Sequence, residues 1–169
     1  MSEQQLTRKT IASVTNFLYC GDEYLFVHRT KKGNSVDFDR LNGIGGKVEP
    51  DENFLACAIR ETEEETGFVV TPQDCKLSAV INLSGGYTED WHICCFSIRV
   101  DSKEVPKGME NDEGRLLWLP ASQVLDSGFR LVDDLNYIWP DIVGRQQLVF
   151  FSGQLDENER ITQHSLFHL

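Results

Sequence analysis

The segment that most constrains the fold joins a glycine-rich turn to a capped helix, between Leu41 and Gly67. Three of the four residues at 43–46 are glycine, and glycine permits close approach of the backbone to an ion or a ligand. The helix is predicted from Glu52 to Thr66, with Asp51 as N-cap and Gly67 at the C′ position. Its predicted buried face, at helical spacing, comprises Leu55, Ala58, Ile59, Thr62 and Thr66.

Segments with strand-like patterns surround this helix. They are residues 11–20 and 23–29, joined by a turn, a short strand entering the glycine turn, 77–83, 91–100, 115–119, and a terminal hairpin of 148–154 and 160–167. Residues 30–40 resemble a polar loop, 120–125 a helix start and 133–144 a second helix. The pattern predicts an α+β fold with helices packed on a mixed β-sheet, in one domain spanning residues 1–169.

The overall charge limits the classes of partner. A net charge of −11 disfavours binding of long nucleic acids, although a small phosphorylated substrate is compatible when cations are bound. No apolar stretch is long enough to cross a bilayer, so no membrane partner is expected. The five cysteines show no C-x-x-C spacing and the N-terminus has no apolar signal region, which predicts a reduced, cytoplasmic protein. The sequence does not indicate an oligomeric state.

The helix carries a dense set of carboxylates, Glu61, Glu63, Glu64 and Glu65. Residues three or four apart are neighbours on a helix surface, so these like charges repel one another. A solvated acidic face is the common outcome for such a run. Next to a glycine turn, the same carboxylates and backbone carbonyls also suit a hard divalent cation, Mg²⁺ or Mn²⁺.

The spacing of Gly46, Glu52, Arg60-Glu61, Glu64-Glu65 and Gly67 resembles the Nudix box, G-x5-E-x7-R-E-U-x-E-E-x-G-U, where U is a bulky apolar residue. Phe68 fits the last U position, whereas Thr62 replaces the aliphatic residue at the first one. The resemblance implies a Nudix fold, a mixed sheet sandwiched by helices, and Mg²⁺-dependent hydrolysis of a phosphoanhydride bond.

The resemblance also implies residue roles. Metal ligands would be Glu61, Glu64, Glu65, the backbone carbonyl of Gly45 and, further along the chain, Glu113. Arg60 would orient the glutamates and Glu52 would brace the loop. Glu65, Glu64 and Glu113 are all candidates for the general base. Glu113 has the alternative of being an exposed acid at a strand start.

Substrate contacts follow from the same resemblance. Arg29, Gly46 and Lys47 are candidates for the phosphate end. The run LNGIGGKVEPDE resembles MutT-like enzymes that hydrolyse oxidised purine nucleoside triphosphates such as 8-oxo-dGTP, with Asn42 and the pair Asp133-Asp134 facing the base. Asn42 is equally well explained as a turn residue, and helix capping is the favoured explanation for Asp133.

Other functions remain open. Within the same family, the substrate would be a nucleotide sugar, a dinucleoside polyphosphate or a capped RNA 5′ end. The chain would otherwise be a sensor that binds a nucleotide without cleaving it, although such a sensor is expected to have lost glutamates that are all present here.

Overall fold

The computed structural model describes residues 8–31 and 37–169, so part of the predicted loop at 30–40 lies outside the described residues. The strands are β1 (Thr10–Cys20), β2 (Glu23–Arg29), β3 (Arg40–Asn42), β4 (Ile44–Lys47), β5 (Cys75–Gly85), β6 (Asp90–Arg99), β7 (Gly114–Pro120), β8 (Arg130–Leu131), β9 (Val149–Leu155) and β10 (Ile161–His168). The helices are α1 (Phe54–Thr66) and α2 (Leu135–Gly144), with short 3-10 helices at Pro72–Asp74 and Ala121–Gln123.

The strands form one mixed sheet in the order β10-β9-β5-β6-β1-β2-β3-β8, with β4 paired to β1 and β7 paired to β2. The pairs β1–β6, β5–β9 and β3–β8 are parallel, and the remaining pairs are antiparallel. The predicted α+β fold with a mixed sheet and a terminal hairpin is therefore confirmed.

The central strand β2 is buried on both faces of the sheet. Tyr24 and Phe26 point into a core that contains Trp139 of α2, whereas Leu25 and Val27 point into a second core that contains Ala58 of α1. Successive side chains of a strand face opposite sides, so a continuous apolar run supplies both cores. The two helices thus cover opposite faces, and the sheet is held rigidly between them.

Helix α1 starts two residues later than predicted. Asn53, not Asp51, is the N-cap, and its side chain accepts a 2.9 Å hydrogen bond from the Ala56 N–H. Glu52 lies outside the helix because its N–H bonds back to the Glu49 carbonyl at 3.2 Å in a preceding turn. At the other end Gly67 has φ 81° and closes the helix as predicted. Among the described residues, no helix has the length and apolar character needed to cross a bilayer.

Candidate functional site

A cavity of about 720 Å³ opens beside the glycine turn. Its lining comes from all of the strands β1 to β6, from α1 and from neighbouring loops, including those that precede β7 and α2. Ten of the candidate residues named from the sequence line it: Arg29, Asn42, Gly45, Gly46, Lys47, Arg60, Glu61, Glu65, Glu113 and Asp134. Glu64 and Asp133 do not.

The two glycines of β4 have no room for a side chain. A Cβ atom on Gly46 would lie 2.2 Å from Oε1 of Glu61, and one on Gly45 would lie 2.1 Å from the Val14 carbonyl oxygen. The backbone of β4 therefore lies directly against both the Glu61 carboxylate of α1 and strand β1. This close approach explains the glycines that the sequence places before the helix.

Arg60 connects the helix to the turn. Its guanidinium donates to both carboxylate oxygens of Glu52, at 3.1 and 2.5 Å, and to Oε1 of Glu61 at 2.7 Å. It also donates to the Lys47 carbonyl at 3.2 Å. The hydrogen bonds from Arg60 and from the Glu49 N–H lower the pKa of Glu52 to about 2. Arg60 thus fixes the orientation of Glu61 and the position of the residues that precede α1.

Three carboxylates of the cavity, Glu61, Glu65 and Glu113, form what we call the carboxylate cluster. Burial, then the charges of Glu113 and Glu61, raise the pKa of Glu65 to about 8. Asn111 links the cluster, because its side chain donates to Glu65 at 3.3 Å and accepts the Glu113 N–H at 2.9 Å. Nothing in the sequence distinguished Asn111 from an ordinary loop residue.

Arg29 balances part of this negative charge. Its guanidinium lies 3.0 Å from Oε2 of Glu113 and 3.5 Å from a carboxylate oxygen of Asp37. Its side chain is largely buried, and it belongs to the same cavity. A cation held between two acids can respond to an incoming anion, since a phosphate would compete for the same guanidinium.

Glu64 differs from the carboxylate cluster, because it does not line the cavity. Its side chain is 60% exposed, and it accepts a 3.1 Å hydrogen bond from Arg60 on the outer surface of α1. Helical spacing brings Glu61 and Glu65 to the cavity and turns Glu64 away from its lining. The sequence grouped all three together, and the structure brings only two of them into the cavity.

The carboxylate cluster fits a hard divalent cation by its chemistry. Its donors are carboxylate oxygens beside a glycine backbone, the set that Mg²⁺ and Mn²⁺ prefer. Burial and then repulsion from Glu113 and Glu61 raise the pKa of Glu65, and a bound cation would relieve that repulsion. Within residues 8–31 and 37–169, three such side chains do not already converge at metal-binding distances.

Asn42 and Asp134 also line the cavity. The Asn42 side chain accepts a 2.8 Å hydrogen bond from the N–H of Gly43, as a turn residue does, and still lines the cavity. Burial, then the Asp37 charge, raise the pKa of Asp134 to about 6. Asp134 occupies the N-cap position of α2 but makes no side-chain capping hydrogen bond.

Asp133 has a different role from either one expected. Helix α2 begins at Leu135, so Asp133 is one residue too early to be its N-cap. Its carboxylate instead accepts a 2.7 Å hydrogen bond from the Ile161 N–H of β10. Asp133 therefore fastens the terminal hairpin, and its side chain is absent from the cavity lining.

The sequence did not single out the aromatic wall formed by Tyr87 and Trp91. Their rings meet edge to face with centroids 6.1 Å apart, and the Lys47 ammonium lies 5.7 Å from the Trp91 ring centre. Aromatic faces of this kind suit the packing of a planar base.

Comparison with known proteins gives the family. The model of the NUDIX domain family matches residues 9–142. A mutator MutT protein from Bacillus halodurans has a similar structure, with a TM-score of 0.76 and 19% identity over 92% of this chain and 97% of that one.

Two further structures are similar at the level of the fold. A bifunctional NMN adenylyltransferase/ADP ribose pyrophosphatase from Francisella tularensis, complexed with AMP and a Mn ion, gives a TM-score of 0.65 at 19% identity over 83% of this chain and 43% of that one. The NUDIX domain of Shewanella oneidensis NrtR, complexed with ADP ribose, gives 0.64 at 15% identity over 86% and 93%. The chain belongs to the NUDIX domain family and is a hydrolase that acts on phosphoanhydride bonds of nucleoside diphosphate derivatives.

Proposed function

We propose that the protein is a Mg²⁺-dependent pyrophosphohydrolase of nucleoside triphosphates that prefers an oxidised purine such as 8-oxo-dGTP. The products would be the nucleoside monophosphate and pyrophosphate. Mn²⁺ would substitute for Mg²⁺, because both are bound by oxygen ligands.

The observation that carries this proposal is the content of a single cavity. It holds the carboxylate cluster, the cations Arg29 and Lys47, and the base-directed candidates Asn42 and Asp134. Its volume of about 720 Å³ is in the range of small-molecule and cofactor sites. A nucleotide has the matching sequence of parts, namely a planar base, a sugar and a charged phosphate chain.

Each residue has a proposed task at the phosphate end. Glu61, Glu65 and Glu113 would hold the cation, which supplies Lewis acidity and charge neutralisation when bound. Arg60 keeps Glu61 in place through its 2.7 Å hydrogen bond. Arg29 and Lys47 would bind phosphate oxygens, and Gly46 lets the backbone come close to them.

The general base is best sought among the carboxylates that line the cavity. Glu65 and Glu113 do so, whereas the Glu64 side chain is 60% exposed on the outer face of α1. A base must reach the attacking water by a hydrogen bond, so proximity favours the first two. Glu64 would instead bind a cation from outside the cavity or act as a surface charge.

At the base end, Asn42 presents both a donor and an acceptor to the purine edge. Asp134 would donate from its protonated form or accept from its charged form, since its pKa is raised to about 6. Tyr87 and Trp91 supply the apolar wall of the same cavity. These features support a purine base.

A second candidate substrate is a nucleoside diphosphate linked to a sugar, such as ADP-ribose. The Francisella protein carries an ADP ribose pyrophosphatase and the Shewanella NrtR domain binds ADP ribose.

A nucleotide-binding sensor is less well supported, because every fixed glutamate of the Nudix box is present in this chain. We place the reaction in the cytoplasm, in keeping with five unpaired cysteines.

The test is a hydrolysis panel with Mg²⁺. It would contain 8-oxo-dGTP, dGTP, dATP, a pyrimidine triphosphate and ADP-ribose, and the products would be separated by chromatography. We expect 8-oxo-dGTP to give the highest kcat/KM. Cleavage of ADP-ribose alone would replace the proposed substrate with the second candidate, and a lack of cleavage of every compound would reject hydrolysis.

Three variants on one helix sharpen the mechanism. Glu65→Gln should lower kcat by about 100-fold or more, because it removes a charged oxygen from the proposed metal site. Glu63→Gln is the matched control, since Glu63 is exposed on the same helix and does not line the cavity. Glu64→Gln should fall between them, and equal full activity of all three variants would refute the proposed site.

A further inference from the structure

We propose that Arg40 and Glu159 form a positioning pair that sets the base end of the cavity and so determines nucleotide affinity. Neither residue was a candidate from the sequence, and neither lines the cavity itself. The inference rests on the proposed function only in assuming that a nucleobase occupies the end of the cavity near Asn42 and Asp134.

The pair joins two distant parts of the chain. Arg40 begins β3, and Glu159 lies in the turn between β9 and β10. A guanidinium nitrogen of Arg40 lies 3.6 Å from a carboxylate oxygen of Glu159. Each residue is only 8% exposed, and in the described part of the chain no other charged residue is so deeply buried.

The backbone conformation at Glu159 indicates that its side chain has a specific role. Its φ is 60°, a left-handed conformation that glycine or asparagine adopts at less cost. The turn geometry alone therefore does not account for a glutamate. The contact with Arg40 accounts for it, because a glutamate side chain at this position lies against the buried guanidinium.

Arg40 is tied directly to residues of the cavity. Its N–H donates to the Asp37 carbonyl at 3.1 Å, and Asp37 lines the cavity. Along β3, Arg40 and Asn42 are two residues apart and lie on the same face of the strand. A shift of the β3 backbone at Arg40 would therefore move Asn42, the candidate contact of the base.

The charges that act on Tyr87 also include those of Arg40 and Glu159. Burial raises the pKa of the Tyr87 hydroxyl, the charges of Asp37, Glu159 and Asp134 raise it further, and the charge of Arg40 acts to lower it. The Tyr87 hydroxyl lies 3.4 Å from a carboxylate oxygen of Asp37. Arg40 is thus the cation that offsets a group of acids around the aromatic wall.

The hairpin is fastened to the same region by a second contact, the hydrogen bond from Ile161 to Asp133. Asp133 directly precedes Asp134, so this hydrogen bond connects the terminal hairpin to the chain next to a residue of the base end. A buried ion pair contributes little net stability, because desolvation offsets the attraction between the charges. The role of the Arg40–Glu159 ion pair is therefore to hold the base end of the cavity in one arrangement.

The test uses binding, so that it does not depend on turnover. Calorimetry would measure the Kd of dGMP, which carries a base, and of pyrophosphate, which does not, both with Mg²⁺. Glu159→Gln keeps the shape of the side chain and removes its charge. We expect dGMP to bind about tenfold more weakly to this variant, with pyrophosphate affinity changed by less than about twofold.

Two controls define the outcome. Glu157→Gln changes an exposed acid of the same turn and should leave both Kd values unchanged. Arg40→Lys keeps a cation and should retain more dGMP affinity than Arg40→Gln. Equal weakening of both ligands, unchanged dGMP affinity, or a wild-type protein that does not bind dGMP would overturn the proposal. Failure of the hydrolysis panel alone would leave this binding difference measurable.

Discussion

The side-chain amide of Asn16 donates a 3.0 Å hydrogen bond to the hydroxyl of Thr62, and both residues are fully buried between β1 and α1. The same amide donates to the Ala58 carbonyl at 2.8 Å, which also accepts the Thr62 hydroxyl at 2.8 Å. Thr62 stands where the Nudix box has an aliphatic residue. A polar contact therefore replaces an apolar one at the interface that carries Glu61 and Glu65.

This contact predicts a strong energetic coupling between the two positions. Thr62→Val leaves one Asn16 N–H buried without a partner and should lower the free energy of unfolding by about 1–3 kcal/mol. In the double variant Asn16→Leu/Thr62→Val, both partners are apolar, so the loss should be smaller than the sum of the single losses. Urea unfolding of the four proteins would measure the coupling as a double-mutant cycle.

Thr66→Val is the matched control. Thr66 is also fully buried, and its hydroxyl donates to the Thr62 carbonyl without contacting Asn16. Its effect should add to that of Asn16→Leu. Additive effects in the Asn16 and Thr62 pair would show that the two side chains do not act together.

The sequence predicted features that depend on neighbours along the chain. The helix end at Gly67 was predicted correctly, because a left-handed C′ residue is a local requirement. The helix start was missed by two residues, because the predicted cap, Asp51, lies in the turn that precedes the helix. Arg60, eight residues beyond Glu52, keeps Glu52 outside the helix, and this contact is not visible from the local pattern.

The contacts between distant residues could not be predicted. Asn16 and Thr62 lie 46 residues apart, and Asp133 and Ile161 lie 28 apart. No local pattern marks such a pair before the sheet brings the strands together. The box spacing predicted the residues of the proposed phosphate end, whereas the place of Tyr87 and Trp91 beside them was seen only in the structure.

A methyl group on Gly46 should disable the site without removing any charged group. The Cβ atom of Gly46→Ala would lie 2.2 Å from the Glu61 carboxylate, so that carboxylate must leave its hydrogen bond with Arg60. We expect kcat/KM to fall by about 100-fold, as for other displaced catalytic geometry. Steady-state kinetics would give the loss, and circular dichroism would establish that the protein is folded.

Gly144→Ala provides the comparison, because a Cβ atom there meets no atom within 4 Å. Its kcat/KM should equal that of the wild-type protein. If Gly46→Ala were as active as Gly144→Ala, the close packing of β4 against Glu61 would have no part in catalysis.

Asn42→Ala tests recognition of the base. Asn42 lines the cavity at the end of β3, and its amide can offer a donor and an acceptor to a purine edge. We expect KM for the preferred purine triphosphate to rise about tenfold, while KM for a pyrimidine triphosphate changes by less than about twofold. An equal rise for both bases would assign Asn42 to the turn, where it already accepts the Gly43 N–H.

The raised pKa of Asp134 predicts that the stability of the protein depends on pH. Its pKa is raised by burial, then by Asp37, from the ordinary 3.8 to about 6. Between these values the folded protein binds more protons than the unfolded chain, so the stability contributed by this group falls as pH rises. The loss of stability caused by charging Asp134 is complete above about pH 6 and absent below about pH 4, by the same relation.

Asp134→Asn removes this cost, because the amide carries no charge at any of these pH values. Since part of the side chain faces the cavity, screening should limit the gain to about 1–2 kcal/mol at pH 7. Urea unfolding at pH 4, 5, 6 and 7 would show the variant gaining on the wild-type protein as pH rises. Asp101→Asn, at a side chain that is 88% exposed, should give no such trend. A constant difference across the four pH values would mean that folding does not raise the pKa of Asp134, and that the base end of the cavity accommodates its charge.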